Sequence, residues 1–113
     1  MMVYGEGQYG PMGILVDWDN PQKTIIRVTF EEEWTWDDFV AIDKVAAGMV
    51  DTISHKVCYI GDVRKTSTVP PGLQLTVVRN VLEFRHPNSD MLVIVGLTKV
   101  MRMLLNTVLQ ALG

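Results

Sequence analysis

The chain has 113 residues, 48% of them hydrophobic and 20% charged, and a formal net charge of −3. That length supports a single core but not a division into two domains, and the composition excludes a disordered chain. The acidic balance offers no attraction to nucleic acid or an anionic membrane, so neither is an expected partner. The lone cysteine, Cys58, cannot form an internal disulfide, which suits a reducing compartment, and the cytoplasm is the expected location. No apolar run approaches the roughly 20 residues that span a bilayer, and the first dozen residues lack the basic and apolar regions of a signal peptide.

Residues Met1 to Met12 show no usable periodicity and are expected to form a flexible tail before one domain over 13–113. Ile14, Val16 and Trp18 share one face of a first strand, with Leu15 and Asp17 on the other. Asp19-Asn20-Pro21-Gln22 has turn chemistry, and Lys23 to Phe30 returns as a second strand with Ile26, Val28 and Phe30 inward. A helix start follows: Thr35 is a cap, Asp38 can return its bond, and Trp34 can staple onto Phe39. Phe39, Ile42, Ala46, Met49, Val50 and Ile53 then recur at helical spacing.

Val57 to Ile60 is apolar on both faces, the pattern of a central strand covered on two sides. Gly61 to Arg64 end it, and Lys65 to Thr68 have the composition of an exposed polar loop. Pro70 and Pro71 suit a first turn, so a second helix is expected from about Pro71 to Arg85, stopped by His86-Pro87-Asn88. Met91 to Val95 reads as a fourth strand, and Thr98 opens a third helix. The order β-β-α-β-α-β-α predicts an α/β fold: a four-stranded, mostly parallel mixed sheet with helices mainly on one face. The other face would then need a cover, from the tail, a ligand or a second copy in a homodimer.

Asp62 at the third strand's end, with Gly72-Leu73 in the first turn of the next helix, resembles the STAS domain family, the SpoIIAA-like anti-sigma factor antagonists. The resemblance spans Gly13 to about Leu112. It implies a small cytoplasmic, non-enzymatic regulatory domain acting by protein–protein interaction, with a partner such as a regulatory kinase or a sigma-factor-system component. In the family's bacterial regulators the contact is switched by phosphorylation of a serine just before the Gly-Leu. Here Pro70 and Pro71 stand at those positions and cannot accept phosphate, so the usual phosphoserine switch is not expected; Thr66, Ser67 or Thr68 could substitute only for a different kinase. A related SpoIIAA-like branch resembles lipid carriers, which makes an apolar, lipid-like small molecule the alternative ligand.

In an extended segment Asp62 and Arg64 lie on one side, either as an ion pair bracing the loop or as part of a contact surface. In the second reading Asp62, Arg64, Lys65, Thr66, Ser67, Thr68 and Gly72, beside a helix N-terminus, form a partner- or anion-binding site. Trp34 and Trp36 read as a staple and core contact or as recognition aromatics. His55 and His86 belong to distant points of this fold, and no HxH, HExxH or CxxC spacing indicates a metal. No catalytic residue or cofactor is assigned, and Cys58 is expected to be a buried structural thiol.

Overall fold

A computed structural model describes residues 13–66, 70, 72 and 87–111. It contains β1 (Ile14–Trp18), β2 (Ile25–Phe30), α1 (Trp36–Asp51), β3 (Val57–Asp62), β4 (Ser89–Val95) and α2 (Lys99–Ala111). The strands form one sheet in the order β1-β2-β3-β4. β1 and β2 are antiparallel, and β2/β3 and β3/β4 are parallel, as the alternation of strands and helices predicts. The tail Met1 to Met12 and the helix expected from about Pro71 to Arg85 lie outside the described residues, so the expectation that helices gather on one face rests on α1 alone.

Side-chain parity decides which face holds the core. Ile14, Val16 and Ile26 are fully buried, and Trp18, Val28 and Phe30 pack against them. Val57 and Tyr59 continue that face on β3, with Tyr59 in register with Ile26. Helix α1 closes over it with Ile42, Ala46 and Val50, the centre of the stripe read from sequence. The opposite face carries Leu15, Asp17, Arg27, Thr29, Cys58, Ile60 and Asp62, since successive strand residues alternate.

The hairpin is organised by Asn20. Its Oδ1 accepts from the backbone N–H of Thr24 (3.0 Å) and Ile25 (3.1 Å), and its Nδ2 donates to Thr24 Oγ1 (2.6 Å). These bonds close the loop while Lys23 adopts the left-handed φ of 57° that the reversal needs. The start of α1 is the expected capping box: Asp38 N–H donates to Thr35 Oγ1 (3.1 Å) and Thr35 N–H to Asp38 Oδ2 (2.9 Å).

Two burial expectations fail. β3 lies inside the sheet, but Cys58, Tyr59 and Ile60 are only half-buried, and Cys58 is a free thiol rather than an enclosed one. Cys58 and Ile60 alternate with the core-facing Val57 and Tyr59 and so point away from α1. Among the described residues strand β4, equally apolar in sequence, stands at the sheet edge, and its Met91, Leu92 and Val93 are exposed. Apolar runs therefore mark both strands, whereas position in the sheet sets their burial.

Candidate functional site

Parallel pairing brings the carboxyl end of β3 beside β2 and places Asp62 in register with Thr29. Arg27, two residues earlier on the same face, reaches Asp62 diagonally, with Nη1 2.9 Å from Oδ2. Its Nε donates to Asp19 Oδ1 at 2.8 Å, so Arg27 bridges two carboxylates. Beyond the strand end the chain turns Arg64 back onto Asp62. Arg64 Nη2 donates to Oδ2 (2.7 Å), Nε to Oδ1 (2.9 Å) and the backbone N–H to Oδ1 (3.1 Å).

Asp62 thus accepts four hydrogen bonds, which fills the lone-pair sites of an ionised carboxylate. It is 4% exposed and carries a guanidinium bonded from each of Arg27 and Arg64. The Arg64 hydrogen bonds outweigh desolvation and, with the charge of Arg27, lower its pKa to about 2. Such a group stays ionised at neutral pH and is a poor proton acceptor. Asp62 holds geometry here; it is not placed to work as a general base. The bidentate geometry is that of a specific Arg–carboxylate pair.

Arg64 is also held from behind. Gly96, just past β4, has φ +90°, and a Cβ built there would lie 2.3 Å from Arg64 Cγ and 2.9 Å from its backbone N. A glycine is required on both counts. The outward parts of the loop remain open: the side chains of Arg64 and Lys65 are 65% and 62% exposed, with Lys65 Nζ 3.4 Å from Glu31 Oε2.

The next residue departs from the expected exposed loop. Thr66 is 2% exposed, its N–H donates to Val63 O (3.3 Å), and its Oγ1 accepts from Trp34 Nε1 (3.2 Å). Trp36 Nε1 donates to Pro70 O (3.3 Å). The two indoles belong to an edge-to-face cluster with Phe30 and Phe39: centroids lie 5.0 Å apart for Phe30–Trp34, 5.1 Å for Trp34–Trp36 and 5.7 Å for Trp36–Phe39. Staple residues at the start of α1 therefore also tie down the loop after β3.

Of the residues singled out from sequence, Asp62, Arg64 and Lys65 are brought together. Thr66 is an anchor beneath them, Gly72 is exposed with φ +79°, and Ser67 and Thr68 lie outside the described residues. His55 Nε2 donates to Lys23 O (2.8 Å), at the far end of β3 from Asp62. Sequence reasoning missed Arg27, Asp19 and Gly96. Parity and pairing could have found Arg27, the cation on the non-core face of β2. Among the described residues no group of three His, Cys, Asp or Glu side chains is placed to hold a metal ion, and no helix is long and apolar enough to cross a membrane.

Fold and site define an α/β domain with a mixed four-stranded sheet whose third strand ends in a doubly arginine-paired aspartate. No family model, curated protein or solved structure matches the chain.

Proposed function

We propose that this protein is a non-enzymatic interaction domain that engages an acidic protein surface through Arg64 and Lys65. The observation that carries the reading is the contrast between these two exposed cations and the fixed parts on either side of them. Asp62 is saturated with hydrogen bonds before them, and Thr66 is buried after them. A preorganised loop loses little conformational freedom on binding, and a guanidinium already paired with Asp62 still presents an outward edge to a carboxylate. The role accords with the resemblance to anti-sigma factor antagonists, which act by contact rather than turnover.

A photo-crosslinking residue at Lys65 tests this in cells, with one at the exposed Lys44 of α1 as reference. The expected result is a discrete adduct from position 65 that is lost in Arg64→Glu, with the variant's circular dichroism unchanged. No adduct from position 65, equal adducts from both positions, or an adduct indifferent to Arg64→Glu would contradict the reading.

A further inference from the structure

We infer that two copies of this chain pair through β4, antiparallel, across a two-fold axis at Val93. Among the described residues β4 ends the sheet, and Met91, Leu92 and Val93 are 56%, 53% and 43% exposed. These consecutive residues point alternately to both faces of the sheet. A ligand or helix lying on one face would cover only every second one, whereas a strand added in the plane flanks them all. The opposite edge is different, because the apolar Ile14 and Val16 of β1 are fully buried under α1.

Backbone direction fits the same partner. Val63 N–H donates to Val95 O at 2.9 Å, so Val95 and, by alternation, Val93 turn their peptide groups toward β3. Leu92 and Ile94 then direct theirs outward. An antiparallel copy centred on Val93 sets Leu92 against Ile94 of the second copy in a hydrogen-bonded pair, and Met91 against Val95. The strand is self-complementary in this register: every apolar side chain meets an apolar one. Asp90, the only charge in β4, falls opposite Gly96, where the second strand has already turned away. The register irregularity between β3 and β4 falls at Asp90 and Met91 and leaves Leu92 to Val95, the centre of the contact, regular. Residues 91–95 carry none of the charges or prolines that commonly guard sheet edges. Such an isologous edge contact closes after two copies.

Light scattering between about 1 µM and 1 mM tests the pairing, a range suited to a small interface. The mass should rise from 12.7 kDa toward twice that value. Val93→Lys and Val93→Glu each set like charges against each other at the axis and should stay monomeric. Their mixture should recover the dimer, and the uncharged Val93→Thr should keep it. A wild-type protein that stays at 12.7 kDa, a dimer that persists in either charged variant, or a mixture that fails to recover it would overturn the inference. Position 93 leaves Arg64 and Lys65 untouched, so this outcome and that of the crosslinking experiment are independent.

Discussion

At neutral pH the Asp62 carboxylate is ionised, covered by two guanidinium groups and joined to them on both oxygens. Its pKa of about 2, set against an unfolded value near 3.9, corresponds to folding stability on the order of 2 kcal/mol. Because the folded value is the lower one, that contribution is complete above about pH 4 and is lost as the pH falls through about 2. Asp62→Asn should therefore lower unfolding stability by roughly 2 kcal/mol at pH 7 and lose most of the acid sensitivity between pH 4 and 2. Urea titrations of both proteins at pH 7 and pH 2 measure this; equal stabilities at pH 7 would show that the arginines pair equally well with an amide. The pairing of Asp62 with Arg64 was legible in sequence, because both sit on one side of an extended segment two residues apart. The second arginine was not, because Arg27 is 35 residues away and reaches Asp62 only once β2 and β3 pair.

Helix α1 shows the same division between local and distant signals. Thr35, Asp38, Trp34 and Phe39 lie within six residues of one another, so the capping box and staple follow from spacing alone. Thr35→Ala removes the side-chain acceptor for Asp38 N–H and should cost about 1 kcal/mol in thermal or denaturant unfolding. A loss below a few tenths of a kcal/mol would mean that water replaces the cap. The tethers from Trp34 to Thr66 and from Trp36 to Pro70 span 32 and 34 residues. No periodicity encodes them, which is why a run of hydroxyls after β3 suggested an exposed loop where Thr66 is in fact buried. Gly96 went unnoticed for the same reason, since its need comes from the distant backbone of Arg64.

The whole molecule combines a hairpin with parallel strands, and this mixed sheet was legible because strands and helices alternate in the second half of the chain. What apolarity alone does not distinguish is an inner strand from an edge strand: Val57–Ile60 and Met91–Val95 look alike in sequence but occupy different positions in the sheet. The sheet mounts the Arg64–Lys65 loop at one strand end and, among the described residues, ends at β4, so the proposed partner contact and the proposed self-association use separate surfaces. The loop's fixed geometry is the claim on which the proposed contact rests, and amide hydrogen exchange at Arg64 and Thr66 tests it most directly, with the core strand β2 as internal reference. Both amides are hydrogen-bonded, to Asp62 Oδ1 and Val63 O, and should exchange at least about tenfold more slowly than in an open chain. Asp62→Asn should speed exchange at Arg64 while amides in β2 stay protected. Exchange at Arg64 and Thr66 in the wild-type protein as fast as in an unstructured peptide would contradict the account.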